Sequence, residues 1–310
     1  MVEKWFRLTC KREHLQLLGT LNGGQSFRWK FKEDDRSWIG VFSRHVWVLK
    51  QADDGISYQV YGSENGEEFY NNLLSDYFQL KLDLEQHFSE WSLKDPIFKE
   101  AANQFYGIRI LKQDLVENIF SFICSSNNNI SRITGMVEKL ALLCGDKICE
   151  IDGCAYHAFP SVESLAKDNI ENILKKEGFG YRAKYISESA KLIVKEGGNL
   201  WLDTLKKLPY EESKIKLMVL TGIGPKVADC ICLMSLGHLQ SIPVDTHVYQ
   251  IARKFYMPNL PKRKTVTAKI YKEIGDYFRE LYGPLAGWAH TVLFCADLKK
   301  FQNDENKQLT

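Results

Sequence analysis

The sequence predicts an α+β fold in which an N-terminal antiparallel β-sheet domain packs on a larger all-α body. Three observations support this fold class. Apolar and polar residues alternate in the first 62 residues, helical spacing prevails from about residue 66, and no internal repeat occurs. We place the sheet domain with its flanking helices at residues 1–112 and the helical domain at residues 113–310. A chain of 310 residues that is 45% hydrophobic is long enough to bury ample hydrophobic core.

The N-terminal region contains four segments with the two-residue period of β-strands. They are SFRWKFK (26–32), SWIGVF (37–42), HVWVLK (45–50) and ISYQVYG (56–62). In the first segment, Phe27, Trp29 and Phe31 share one face and polar residues occupy the other. We therefore expect a twisted antiparallel sheet with one buried face.

The remainder of the chain has helical periodicity. Asp114 is the predicted N-cap of the helix at 114–126, and Gly145 is the predicted C′ residue of the helix at 129–145. An apolar stripe on that helix consists of Ile130, Ile133, Val137 and Leu140. The predicted helices cover 67–78, 83–106, 114–126, 129–145, 161–176, 181–196, 210–220, 225–236, 245–256, 265–282 and 285–299.

Composition narrows the class of protein. No run of about 18 apolar residues occurs, so we expect no membrane-spanning helix. The N-terminal segment lacks the apolar stretch of a secretory signal, and Glu3 and Glu13 argue against a mitochondrial presequence. Many of the eight cysteines lie in helical patterns, which indicates buried thiols in a reducing compartment.

Cys144, Cys149, Cys154 and His157 could form a zinc site, but their C-x4-C-x4-C-x2-H spacing lacks the usual C-x2-C element. We favour ordinary surface and core residues and expect no metal. The net charge of +2 is unevenly distributed. Residues 251–300 contain 10 Lys/Arg against 4 Asp/Glu, which allows a local basic face for a polyanion.

The stretch TGIGPKVADC (221–230) predicts two helices joined by a Gly-x-Gly turn. Pro225 suits the first helical position, and Gly222 and Gly224 permit positive φ and leave backbone N–H groups uncovered. Together with the helix dipole, these groups would form an anion site, although a plain αα-hairpin has the same pattern. A nucleotide P-loop is excluded, because a helix precedes the turn and Val227 follows the lysine.

Lys226 lies in the first turn of the second helix, where the dipole should lower its pKa. Such an amine suits nucleophilic, Schiff-base chemistry, and Cys230 follows on the same helical face. Asp245 is either a plain N-cap or a carboxylate that stabilises a cationic transition state. His247 either contacts phosphate or lies on a helix face.

These features resemble the helix–hairpin–helix DNA glycosylase superfamily. GGQSFRW (23–29), FSFICSSNNNISRITGM (120–136) and GFGYRAKY (178–185) make the chain similar to the eukaryotic-type 8-oxoguanine DNA glycosylase/AP lyase family, from about residue 5 to residue 300. The resemblance implies excision of 8-oxoguanine paired with cytosine in double-stranded DNA, followed by β-elimination. It implies no cofactor. Monomeric action is a family expectation.

Roles for single residues follow from the same resemblance. Lys226 would attack C1′ of the flipped nucleotide, and Asp245 would stabilise the developing sugar cation. Gly24 would offer its carbonyl to the N7–H that 8-oxoguanine has and guanine lacks. Cys230 and Phe294 would sandwich the base, although both also fit an ordinary core.

The resemblance also implies DNA contacts. Without the resemblance, SSNNN (125–129) would predict a turn, and Arg132 and Arg182 would be solvated helix charges. Asn127, Arg132 and Arg182 would contact the orphaned cytosine, and Tyr181 would wedge into the duplex. Gly222, Gly224 and Val227 would donate main-chain N–H groups to one phosphate, and His247 would reach another.

One position departs from the family pattern. His290 stands where the family has a glutamine that reads the Watson–Crick edge of the lesion, which leaves the lesion preference open. An iron–sulfur cluster is not expected, since Cys295 alone follows Cys232.

Two other functions remain open, a related glycosylase with altered lesion preference and a non-catalytic DNA-binding module. The nucleus is the expected compartment, with mitochondria as a second one. PKRK (261–264) is either a nuclear localisation patch or a solvated basic loop.

Overall fold

The computed structural model describes residues 4–62, 65–262 and 266–308. Its N-terminal part contains a five-stranded antiparallel sheet of order β1-β5-β4-β3-β2, which confirms the predicted fold class. The strands are β1 (Phe6–Thr9), β2 (Trp29–Lys32), β3 (Ser37–Phe42), β4 (His45–Ala52) and β5 (Gly55–Tyr61). Strand β1 was not predicted, since only the edge pairing of Phe6–Thr9 with β5 makes this segment a strand.

Both faces of the sheet are covered, so the prediction of one buried face was wrong. One face packs on α1 (Leu17–Leu21) and α2 (Glu67–Tyr77). The opposite face carries a smaller apolar cluster around Ile39 and Val48, which is covered by a β-hairpin from the helical part. That hairpin, β6 (Lys147–Ile151) with β7 (Cys154–His157), lies within the region predicted to be helical.

The predicted alternation in the first strand is only partly present. Trp29 is buried against the sheet core, whereas Phe27 packs into the core of the helical body. Phe31 is exposed near the edge of the sheet. Strand β2 also begins at Trp29 rather than at residue 26, because Phe27 belongs to the contact between the two parts of the chain.

The helical body surrounds one large apolar core. Its helices as far as residue 205 are α3 (Glu85–Lys94), α4 (Pro96–Gln104), α5 (Leu115–Cys124), α6 (Ile130–Cys144), α7 (Val162–Leu165), α8 (Ile170–Lys176), α9 (Arg182–Lys195) and α10 (Asn199–Leu205). The later ones are α11 (Tyr210–Leu217), α12 (Pro225–Met234), α13 (Thr246–Ile251), α14 (Ala268–Tyr282) and α15 (Ala286–Gln308). A π-helical segment (Ala252–Tyr256) continues α13, and a 3₁₀ turn (Gly283–Leu285) precedes α15.

Local capping decides several helix boundaries. Asp114 caps α5 by accepting a hydrogen bond from the N–H of Glu117, as predicted. Asp95 caps α4 before Pro96, so the predicted helix 83–106 is two helices. The predicted helix 161–176 is likewise divided into α7 and α8, and α10 was not predicted.

Two details of α6 differ from the prediction. Ile130 is 46% exposed and does not join the buried stripe of this helix. Gly145 ends the helix with a negative φ of −96°, so it is not a left-handed C′ residue. A Cβ atom at this position would lie 1.9 Å from the carbonyl oxygen of Ala158, and this close backbone approach requires glycine. Within the described residues, no helix is long and apolar enough to cross a membrane.

Candidate functional site

The turn between α11 and α12 is held by contacts with α9. Gly222 has a φ of +87°, as predicted, and its backbone lies directly against the ring of Tyr185. Ser189, one turn further along α9, donates a hydrogen bond to the carbonyl of Thr221 at 3.0 Å. Gly224 does not use its freedom at positive φ, because its φ is −94° and its ψ −178°, an extended N-cap geometry.

The N-terminus of α12 is open to an anion. Gly224 and Pro225 are exposed, and Gly224 provides no side chain to cap the helix. The N–H groups of Lys226 and Val227 belong to the first helical turn, where no intrahelical acceptor is available. N–H groups that lack an intrahelical acceptor at the positive end of a helix dipole form a phosphate-binding arrangement.

Lys226 points from this first turn toward α5. Its Nζ lies 5.3 Å from the centroid of the Phe122 ring, and the side chain is partly exposed. Cys230 follows one turn later and is buried. Burial raises the pKa of the Cys230 thiol to about 11, and the nearby Lys226 ammonium opposes the shift. The thiol is therefore neutral near pH 7.

Asp245 is the N-cap of α13 and accepts a hydrogen bond from the N–H of Val248 at 2.9 Å. The cap uses Oδ1, and the side chain remains partly exposed. Within the described part of the chain, Asp245 and Lys226 form no ion pair, although Asp245 and Lys226 both act on the pKa of Cys230. The two predicted catalytic residues thus lie in one neighbourhood without neutralising each other.

His290 lies in the same neighbourhood, on α15. Its ring stacks at 20° on that of Phe294, with centroids 6.3 Å apart, and it is only 7% exposed. Neither ring nitrogen has a hydrogen-bond partner among the described residues. Burial lowers the pKa of His290 to about 4, against the opposing effect of the Asp245 carboxylate, so the imidazole is neutral at physiological pH.

His247 and Phe294 extend this group. Their rings meet edge to face at 6.1 Å and 85°, and Nδ1 of His247 lies 3.7 Å from Oδ2 of Asp297. His247 is thus more than a solvated residue on a helix face, because it contacts two residues of α15.

The loop that carries Gly24 reaches this site from the sheet domain. Gly24 has a φ of +72° and open space around its α-carbon. A Cβ atom at Gly23 would lie 3.1 Å from Sγ of Cys295, the residue after Phe294, so the loop is packed on α15. Gln25 anchors the loop by donating to the carbonyl of Arg109 at 2.8 Å.

Four further predicted residues form a second group around Ser126, which we call the turn cluster: Asn127, Arg132, Tyr181 and Arg182. The Tyr181 hydroxyl donates to the Ser126 carbonyl at 3.0 Å, and Arg182 donates to the carbonyls of Ser126 and Asn127. Arg132 is exposed and donates to the carbonyl of Gly178 at 3.3 Å.

Arg182 corrects one alternative left open by the sequence. It is only 3% exposed and is not a solvated helix charge, because the carbonyls of the 125–129 turn take up its donors. The turn has an unusual backbone, with a φ of +47° at Asn127. Tyr181 is 47% exposed and contacts Tyr185 at a centroid distance of 5.3 Å. Since Tyr185 touches Gly222, α9 connects the turn cluster to the hairpin.

Sequence reasoning missed three residues of the site, namely Phe122 below Lys226, and Tyr185 and Ser189 against the turn. Tyr181, Tyr185 and Ser189 are spaced by four residues, which places them on one helical face. That spacing could have indicated a common partner for these three residues. No comparable pattern marks Phe122, whose role depends on the packing of α5 on α12.

The cysteine cluster does not form a site. Cys149, Cys154 and His157 lie on the β6–β7 hairpin, and Cys154 is exposed. Among the described residues, no group of three His, Cys, Asp or Glu side chains is arranged to hold a metal ion.

The chain is similar to known proteins over nearly its whole length. The family models for 8-oxoguanine DNA glycosylase, N-terminal domain, and for HhH-GPD superfamily base excision DNA repair protein match residues 7–119 and 120–275. The chain is 42% identical over 299 residues to N-glycosylase/DNA lyase OGG1 of Arabidopsis thaliana, which covers 95% of this chain and 80% of that protein. It is 37% identical over 331 residues to the N-glycosylase/DNA lyase of Saccharomyces cerevisiae, covering 96% and 87%.

A solved structure of a related protein has the same fold. Clostridium acetobutylicum 8-oxoguanine glycosylase/lyase, in complex with double-stranded DNA containing cytosine opposite 8-oxoguanine, superimposes with a TM-score of 0.82. The two chains are 31% identical, and the match covers 93% of each.

Proposed function

This chain belongs to the 8-oxoguanine DNA glycosylase family of the HhH-GPD superfamily and is a bifunctional N-glycosylase/DNA lyase, and we propose that it flips out and excises 8-oxoguanine paired with cytosine. Lys226 would form a Schiff base with the sugar, and β-elimination would then cleave the abasic strand. The observation that carries the proposal is the position of Lys226. Its side chain is partly exposed in the first turn of α12, and no side chain caps the N-terminus of this helix.

The chemistry requires an unprotonated amine and a stabilised sugar cation. As the C1′–N9 bond breaks, the base leaves with its electron pair and Nζ of Lys226 forms a bond to C1′. The sugar ring then opens at C1′–O4′ as one proton of the lysine nitrogen passes to O4′, which gives the protonated Schiff base. Loss of a C2′ proton then expels the 3′-phosphate, and water releases Lys226. No oxidant or cofactor enters this sequence.

Asp245 would assist the first step. Its Oδ1 is used for the cap of α13, whereas Oδ2 has no donor among the described residues. A carboxylate near C1′ stabilises positive charge that develops on the sugar. The cap also fixes the carboxylate in place, so the two interpretations of Asp245 are compatible.

The lesion would be read by the group formed by Gly24, Cys230, His290 and Phe294. The carbonyl of Gly24 would accept a hydrogen bond from N7–H of 8-oxoguanine, and guanine has only an acceptor there. Phe294 and the neutral thiol of Cys230 would enclose the flipped base, which offsets the cost of unstacking it, a few kcal/mol. The two unpaired nitrogens of His290 would find partners on the base edge.

The duplex would be held at two places. The N–H groups of Gly222, Gly224 and Val227 would bind one phosphate, and His247 would bind another. The turn cluster would contact the orphaned cytosine, with Tyr181 inserted beside it. One molecule of the protein supplies every residue named here, so we propose that it acts as a monomer.

His290 favours one second candidate, a glycosylase of this family with altered lesion preference. A neutral imidazole presents one donor and one acceptor in either of two tautomers, unlike the fixed amide of glutamine. The proposed compartment is the nucleus, with mitochondria as a second one, since these contain the DNA substrate. Arg263 and Lys264 of the PKRK patch lie outside the described residues.

The test is excision and borohydride trapping on duplexes with 8-oxoguanine opposite each of the four bases. We expect excision to be strongest opposite cytosine and a covalent adduct that Lys226→Ala abolishes. Lys216→Ala is the matched control, because this exposed lysine lies on α11 of the same hairpin. Trapping without preference for cytosine would support the altered-lesion candidate. Excision without any adduct, or an adduct in Lys226→Ala, would contradict the assignment of Lys226.

A further inference from the structure

A buried carboxylate lies directly behind the hairpin. Asp229 is fully buried on α12, three residues after Lys226, and accepts hydrogen bonds from four side chains. Its Oδ1 accepts from Tyr210 at 2.7 Å and from Ser241 at 3.1 Å. Its Oδ2 accepts from Lys214 at 2.8 Å and from Tyr271. Four donors fill the acceptor capacity of one carboxylate.

The donors come from three different parts of the fold. Tyr210 and Lys214 lie on α11, Tyr271 lies on α14, and Ser241 lies in the segment between α12 and α13. Asp229 therefore connects its own helix to the other helix of the hairpin, to α14 and to the chain that leads to α13.

Tyr271 extends this connection to the site. Its hydroxyl proton is donated to Asp229, and its oxygen accepts the N–H of Val244 at 3.3 Å. Val244 is the residue before Asp245. A chain of two hydrogen bonds thus joins the helix of Lys226 to the backbone of the second catalytic residue.

We propose that Asp229 is a positioning residue for the reaction: through Tyr271 it holds the Val244–Asp245 backbone at a fixed distance from Lys226. The inference rests on the proposed roles of Lys226 and Asp245. Efficient chemistry needs both groups at C1′ at the same time, and a displacement of about 1 Å can cost up to a hundredfold in rate. Asp229 touches neither substrate nor reacting atoms in this proposal.

An amide would replace this carboxylate poorly. In Asp229→Asn, an NH2 group on the Oδ2 side would face the Lys214 ammonium, which cannot accept, and on the Oδ1 side it would require the Tyr210 and Ser241 hydroxyls to turn round and accept. Either way the negative charge that pairs with Lys214 is lost. Burial raises the pKa of Tyr271, and the Asp229 charge adds to this, so the phenol remains a donor at any physiological pH. The ammonium of Lys214 balances the buried charge, since its side chain is only 16% exposed.

The chain provides a matched control for a purely structural effect. Tyr282 also lies on α14 and also donates to a buried carboxylate, that of Asp95, at the N-terminus of α4. Tyr282 is buried and Tyr271 is partly buried, and each loses one phenol–carboxylate bond on change to phenylalanine. Only Tyr271 is connected to Asp245.

The experiment compares Tyr271→Phe with Tyr282→Phe in the full chain. Single-turnover excision of 8-oxoguanine, the Kd for duplex DNA and the Tm are measured for both variants. We expect Tyr271→Phe to slow the chemical step about tenfold and to change the Kd less than about twofold. Tyr282→Phe should lower the Tm by a similar amount and keep the wild-type rate. A wild-type rate in Tyr271→Phe, or equal slowing in both variants, would overturn the proposal.

Asp229→Asn should slow the chemical step about a hundredfold at an unchanged Kd. If this variant does not fold, Ser241→Ala replaces it. It removes one hydroxyl, which is shared between the Asp229 carboxylate at 3.1 Å and the Asp229 backbone carbonyl at 3.0 Å, and it should slow the step by about twofold or more. The proposed function is tested separately by the wild-type protein on the same duplex. If the wild type does not excise 8-oxoguanine, the same variants are compared by strand cleavage at a preformed abasic site, where base recognition has no part.

Discussion

A Cβ atom added to Gly222 would lie 2.5 Å from Cδ2 of Tyr185, so the hairpin turn can approach α9 only with glycine at this position. The positive φ of +87° excludes other residues for a second, independent reason. The same turn presents the N–H groups that would bind a DNA phosphate. The fit between Gly222 and Tyr185 therefore links the stability of the hairpin to DNA binding.

Gly222→Ala should lower the free energy of unfolding by about 2–4 kcal/mol, because it adds left-handed strain to a steric clash. It should also weaken DNA binding about tenfold by displacing the turn. Gly66→Ala is the control, since Gly66, the N-cap of α2, has an extended backbone and open space around it and takes no part in the proposed DNA contacts. Urea unfolding and duplex Kd values check both variants, and equal losses in the two would contradict this account.

The two arginines of the turn cluster should behave differently. Arg132→Ala removes an exposed side chain with one 3.3 Å bond, so the protein should keep its Tm while its preference for cytosine over adenine opposite the lesion falls about tenfold. Arg182→Ala should also cost about 2–4 kcal/mol of stability, because the Asn127 carbonyl loses its side-chain donor and the Ser126 carbonyl keeps only the Tyr181 hydroxyl. Excision rates on the two duplexes, together with thermal melts, separate the effects. A loss of stability in Arg132→Ala would contradict the prediction.

Local patterns carried the correct part of the prediction from sequence. The cap at Asp114, the positive φ at Gly222 and the first-turn position of Lys226 depend on neighbouring residues only, and the structure confirms all three. Gly224 was different, because a Gly-x-Gly turn is compatible with either sign of φ at its second glycine.

Long-range contacts account for what was missed. The burial of Arg182 depends on the carbonyl of Ser126, 56 residues earlier in the chain. The β6–β7 hairpin covers the far face of the sheet, and no local sequence pattern indicates this contact between distant segments. In the sequence, Asp229 is a single acidic residue in an apolar helix. Its role depends on four donors that come from other segments of the chain.

Cys230 should resist alkylation. With a pKa of about 11, roughly one thiol in a thousand is ionised at pH 8, and the side chain is also buried. Iodoacetamide at pH 8 should modify the exposed Cys154 within minutes and leave Cys230 unmodified, as checked by peptide mass spectrometry. The unfolded protein, in which all eight cysteines react, is the control. Rapid modification of Cys230 in the folded protein would mean that its thiol is ionised near neutral pH.

His290 should make the protein sensitive to acid. The unfolded chain takes up a proton at this residue near pH 6.5, whereas burial delays uptake in the folded chain to about pH 4. The unfolded state therefore binds more protons between these values, and stability falls as the pH is lowered from 6.5 to 4. A shift of this size corresponds to about 3 kcal/mol at the acid end.

His290→Gln removes the titrating group, so its stability relative to the wild type should rise by about 3 kcal/mol between pH 7 and pH 4. Urea unfolding at each pH gives the two curves. Parallel curves for His290→Gln and the wild type would show that the imidazole is solvated or paired in the folded protein. In that case it would not be available, uncharged and unpaired, to read the edge of a flipped base.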